Sequence, residues 1–166
     1  MVDLFSRLFR RRRHLIVQAD ENRDQGKSAE AARLYQKIID EWGAKPSLLM
    51  QLGNSLKDSR NYEKAYTAYM QVWESENRSA DVALQLGHLL KLQGDFDNAK
   101  KWYSHSIELD GNDNNPAHRE LLFVNAIVGG TESTDRQHDD LGVPSVSFPE
   151  EAVLRHFRTE LQYRPS

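Results

Sequence analysis

The same residue types return every 34 positions along this chain, and few folds tolerate such a repeat. Ala31, Ala65 and Ala99 are spaced in this way, as are Tyr35, Tyr69 and Tyr103. The later two units match further at Leu52 and Leu86, Gly53 and Gly87, Leu56 and Leu90, and Tyr62 and Phe96. An ordinary helical bundle has no reason to bring glycine, alanine and tyrosine back in register. A stack of like units does, because each unit buries its apolar face only against its neighbours.

Inside each unit the spacing is helical. Leu49, Leu52, Gly53 and Leu56 lie on one face at i, i+3, i+4 and i+7, and Ala65, Tyr69 and Val72 form a second stripe after a break at residues 58–61. Each unit therefore reads as helix, turn, helix. Small residues at Gly53 or Gly87 and at Ala65 or Ala99 let the paired backbones approach, with the aromatics filling the space beside them. Gly26 and Gly94 fall where the first helix ends and the chain reverses, a place that favours positive φ; Arg60 occupies the matching position in the middle unit.

This pattern resembles the tetratricopeptide repeat, in which a small residue follows a leucine on the first helix and an alanine precedes an aromatic by four on the second. The resemblance implies an all-α fold, a right-handed α-solenoid of three helix-turn-helix repeats at 12–45, 46–79 and 80–113, with a capping helix at 115–128. Unit one departs from it, with Gln18 and Asn22 where the others carry leucines. The proline expected at the end of each unit is replaced by Gly43, Asn77 and Gly111.

By the same resemblance, the first helices line a concave surface that receives a protein or peptide partner. Its exposed positions map to Asp20, Arg23 and Asp24, then to Met50, Asn54, Lys57 and Asp58, then to Leu84, His88, Lys91 and Leu92; the cap adds His118, Leu122 and Asn125. Asn54 can hydrogen-bond a peptide backbone, and Lys57 and Lys91 can attract a carboxylate. The candidate groove residues are thus Asn54, Lys57, His88, Lys91, Arg23 and Met50, all of which equally suit the solvated face of an ordinary helix. One use of the family is a clamp for the acidic C-terminal tails of heat-shock chaperones. Its positions here carry Ile16, Asp20, Gln51, Asp81 and Gln85, and two aspartates repel carboxylates, so such tails are expected not to bind. The run from Gln85 to Gly94 is also similar to repeats beside glycosyltransferase domains in bacterial polysaccharide-building proteins, which implies an adaptor role as an alternative.

The net charge of −3 is unevenly spread. Residues 1–14 carry five arginines against Asp3, or +5 − 1 = +4, leaving −3 − 4 = −7 for the rest. An acidic body argues against nucleic acid as a partner. Leu4, Phe5, Leu8 and Phe9 share one helical face of residues 1–11, with Arg7, Arg10, Arg11 and Arg13 around it. This suits weak contact with an anionic membrane, an extension of the first repeat helix, or self-association. Residues 129–147 read as a flexible linker that begins at the helix stop Gly129-Gly130, and Val153, Leu154, Phe157 and Leu161 predict an amphipathic helix within 148–166, a second route to a homo-oligomer or scaffold.

No cysteine is present, and none of the six histidines has a partner at the one-turn spacing of a helical metal site. His138-Asp139-Asp140 lies in the linker, where ligands lack rigid support. Phosphate-cradling loops and serine elbows are missing as well. The chain is expected to be non-catalytic, to need no cofactor or metal, and to reside in the cytoplasm, peripheral to the inner face of a membrane if its basic end binds lipid.

Overall fold

A computed structural model describes residues 2–75 and 78–132. Asn77, most of the expected linker with His138 to Asp140, and the C-terminal helix with Val153, Leu154, Phe157 and Leu161 lie outside the described residues. The chain divides into two compact units, Met1–Val124 and Asn125–Ser166. Among the described residues there are seven helices and no strand: α1 (Val2–Asp24), α2 (Ser28–Trp42), α3 (Pro46–Asp58), α4 (Tyr62–Glu74), α5 (Ala80–Leu92), α6 (Phe96–Asp110) and α7 (Ala117–Glu132). The first six pack consecutively as an α-solenoid of three helix pairs.

The repeating residues form the core. Ala31, Ala65 and Ala99 and the three tyrosines Tyr35, Tyr69 and Tyr103 are wholly buried. The glycines serve the tyrosines directly: a Cβ on Gly87 would sit 2.5 Å from Tyr103 Cε1, and one on Gly53 would overlap the Tyr69 ring. In unit one the equivalent residue is Ala19, also wholly buried, so the α1–α2 pair takes a methyl group there. Polar Asn22, which replaces a core leucine, is half-buried and donates its amide to the Gln18 carbonyl one turn back at 2.8 Å.

Helix ends follow local chemistry. Pro46 opens α3, and the side chains of Ser79 and Asp95 accept backbone N–H bonds at the starts of α5 and α6. The three turns inside the units close identically. Lys27, Asn61 and Asp95 donate back to Asn22, Leu56 and Leu90, and the residue before each has positive φ: Gly26 at 71°, Arg60 at 63° and Gly94 at 78°. A side chain in that region costs about 1–2 kcal/mol. Arg60→Gly is therefore expected to stabilise the fold by up to about 1 kcal/mol, after the added freedom of glycine in the unfolded chain is subtracted. Thermal unfolding checks this, and a lower Tm would refute it.

One boundary differs from expectation. Residues 2–11 take the form of an extension of the first repeat helix, one of the readings open for them, because α1 runs without a break from Val2 to Asp24. At the other end the helix runs through Gly129 and Gly130 to Glu132, past the expected stop. Two glycines weaken a helix by about 1 kcal/mol each, but they remove no backbone hydrogen bond, as a proline would.

Candidate functional site

Three hydrogen bonds cross between the first helices of successive units. Arg23 of α1 donates to Gln51 of α3 at 2.8 Å, Lys57 of α3 to Gln85 of α5 at 2.6 Å, and Lys91 of α5 to Glu120 of α7 at 2.6 Å. The donors lie 34 residues apart, as do Gln51 and Gln85, so the repeat places a cation on this face of every unit and an acceptor on the next. Of these donors, Lys57 and Lys91 are the ones the sequence suggests for a partner's carboxylate. In the structure each of the three meets an acceptor of its own chain.

Lys91 departs furthest from expectation. It is only 2% exposed, where an accessible cation was expected. Its ammonium is held by the Glu120 carboxylate and lies 5.6 Å from the centre of the Phe123 ring. Burying a cation is tolerable only with such a partner, and α7 supplies it. Asn115 sets α7 in place: its amide donates to the Ser106 carbonyl of α6, and its side-chain oxygen accepts the Ala117 N–H at the start of α7.

Arg23 is similarly committed, since it also bonds Asp20, Asp24 and the Tyr35 hydroxyl. The core tyrosines reach the same face from behind. Tyr35 donates to Asp20 at 2.5 Å and Tyr69 to Asn54 at 2.7 Å, while the ring of Tyr103 meets that of His88 edge-on. Asn54 therefore spends one acceptor within the fold. Burial raises the Tyr69 pKa, and Asp58 and then Asp81 raise it further, so these two carboxylates act on one spot beside Asn54. Both are exposed, and Met50 and Leu84 are half-buried on the same helices.

His88 is half-buried between Lys57 and Lys91. Burial first, and then those two cations, push its pKa down to about 3. The Glu120 carboxylate, 3.9 Å from Nε2, is already engaged by Lys91. A free histidine titrates near 6.5. The unfolded chain therefore binds more protons here between roughly pH 6.5 and 3, and this contribution to stability is present above that window and lost as pH falls through it. Urea unfolding is expected to weaken by up to about 1.4 kcal/mol per pH unit across the window. His88→Phe is expected to flatten that slope; an unchanged slope would refute the assignment.

At the basic end, Arg11 pairs with Glu41 at 3.0 Å and lies over Trp42 while remaining exposed. Arg7, Arg10 and Arg13 are exposed. No helix is long and apolar enough to cross a membrane, and no group of three potential metal ligands occurs, in both cases among the described residues.

Residues 46–77 and 80–113 match the family model of the tetratricopeptide repeat. None of the curated proteins matches this sequence. Among solved structures, the Sgt2 tetratricopeptide domain from Aspergillus fumigatus is 19% identical with a TM-score of 0.68, over 82% of this chain and 92% of that one. The first such domain of Spaghetti (RPAP3), bound to the HSP90 peptide SRMEEVD, is 19% identical with a TM-score of 0.63, over 71% and 93%. PcrH in complex with the chaperone-binding region of PopB is 15% identical with a TM-score of 0.57, over 70% and 93%.

Proposed function

Because this chain is built of tetratricopeptide repeats, we propose that it is a non-catalytic interaction module whose α1–α3–α5 face receives a segment of another protein, and that the segment is apolar and cationic. Two domains of the same fold hold segments of other proteins, RPAP3 an HSP90 peptide and PcrH a region of PopB, which supports the general role. The choice of segment rests on one observation. Arg23, Lys57 and Lys91 are bonded to acceptors of their own chain, whereas Asp58, one turn along α3 from Asn54, and Asp81, in the first turn of α5, stand exposed. An incoming carboxylate would have to displace Gln51, Gln85 or Glu120, and it would face two aspartates. An incoming lysine or arginine displaces nothing.

The rigid stack also limits the entropy lost on binding, because the receiving surface is ordered before the partner arrives. Met50, Leu84 and the exposed Val17 offer the apolar contact that a purely ionic groove would lack. Fluorescence titration with two labelled peptides tests the reading, one alternating leucine with arginine and one ending in several glutamates and aspartates. The first is expected to bind, to weaken as salt is raised, and to lose most of its affinity with Asp58→Lys and Asp81→Lys combined. Binding of the acidic peptide alone would overturn the proposal.

A further inference from the structure

Helix α1 is longer than its partner requires. Its residue Arg11 lies against Glu41 and Trp42, the last two residues of α2, so residues 2–10 run on past the end of the pair. At 1.5 Å per residue this overhang is about 13 Å long. Every side chain from Ser6 to Arg10 is exposed, including Leu8 at 40% and Phe9 at 67%. Arg7, Arg10 and Arg13 surround them. Leu8 and Phe9 thus present apolar surface to solvent at this helix end, and a cationic, apolar segment is the kind the groove is suited to receive.

We infer that the α1 overhang of one molecule docks on the α1–α3–α5 face of a second copy, with Phe9 and Leu8 against Met50 and Leu84 and the arginines against Asp58 and Asp81. This rests on the reading of the groove given above. Charge complementarity carries the choice of occupant: residues 1–14 sum to +4 and the remainder to −7. The docking must occur between molecules. The overhang and the first wall of the groove are one unbroken helix, so the overhang cannot turn back onto the face that its own helix lines. A lipid surface suits the overhang less well, since a single short helix gives marginal membrane affinity and anionic lipid repels the acidic body. Each molecule then offers one overhang and one groove. That makes the contact heterologous, so assembly extends head to tail until the ends meet or the protein is exhausted.

Sedimentation velocity of the full chain over a range of protein and salt concentrations tests this. The sedimentation coefficient is expected to rise with protein concentration and to fall back toward the monomer value as salt is added. Two variants with substitutions on exposed residues, Leu8→Ser/Phe9→Ser and Asp58→Lys/Asp81→Lys, are each expected to lose the concentration dependence, with circular dichroism confirming that they fold. Mixed together they are expected to form a dimer and nothing larger, because one retains a groove and the other an overhang. A full chain that stays monomeric while the leucine-arginine peptide binds would overturn this inference and leave the reading of the groove intact. Failure of both would remove both. Persistent assembly of the Leu8→Ser/Phe9→Ser variant, or an overhang that binds anionic vesicles in a monomeric protein, would also overturn it.

Discussion

Replacing Glu120 by alanine is expected to lower the unfolding free energy by about 3–5 kcal/mol. The reason is the partner it leaves behind. Lys91 is 2% exposed and its ammonium is 2.6 Å from the Glu120 carboxylate; without that carboxylate, a cation is buried with its main counter-charge removed. Lys91→Ala should cost less, because Glu120 is 17% exposed and retains some access to water. The double variant Lys91→Met/Glu120→Leu separates ion pairing from packing. It is expected to match or exceed the wild type, since well-packed apolar residues often replace a buried ion pair without loss. Urea unfolding measures all three. A Glu120→Ala cost below about 1 kcal/mol would mean that α7 lifts away and water reaches Lys91.

Tyr69→Ala is expected to cost about 3–5 kcal/mol, the usual penalty for emptying a wholly buried aromatic site. The same ring explains why Gly53 is glycine, so the two positions should be strongly coupled. Gly53→Leu alone forces its side chain into the space of the Tyr69 ring and is expected to cost at least about 1–3 kcal/mol, despite the better helix propensity of leucine. Combined with Tyr69→Ala, the added leucine enters the vacated space. The double variant should then be more stable than the sum of the single effects implies. Simple additivity would show that the two side chains do not compete for one volume. The hydroxyl of Tyr69 adds a specific term, because its loss frees Asn54 to bond a ligand. If the groove reading holds, Tyr69→Phe should leave peptide affinity unchanged or raise it, while lowering stability by about 1 kcal/mol.

The groove residues show where a linear reading stops. Arg23, Asn54, Lys57 and His88 were legible as members of one face because that face is a helical stripe, and the structure places them there. What each side chain bonds to was not legible in the same way. In the sequence Gln51 and Gln85 read as positions of a chaperone-tail clamp and not as partners of the cations, and Glu120 has no role, yet these three residues occupy the cations. A signal did exist: donors at 23, 57 and 91 and glutamines at 51 and 85 share the 34-residue offset of the core. A polar ladder that repeats with the core is more readily explained as a link between units than as three separate ligand contacts.

The repeat alone determined the helix pairs, the three core tyrosines, their small-residue neighbours, and the turns that demand positive φ at Gly26, Arg60 and Gly94. All of these depend on bonds within a few residues or on contacts with the adjacent helix, and both leave a fixed spacing in the chain. Only the tertiary structure decided that Lys91 is buried, that Arg23 is already bonded, and that α1 projects beyond its partner. Those outcomes depend on where a helix of another unit lies within a few ångströms of a side chain. Desolvation and hydrogen bonding change over such distances, and the order of residues does not encode them directly.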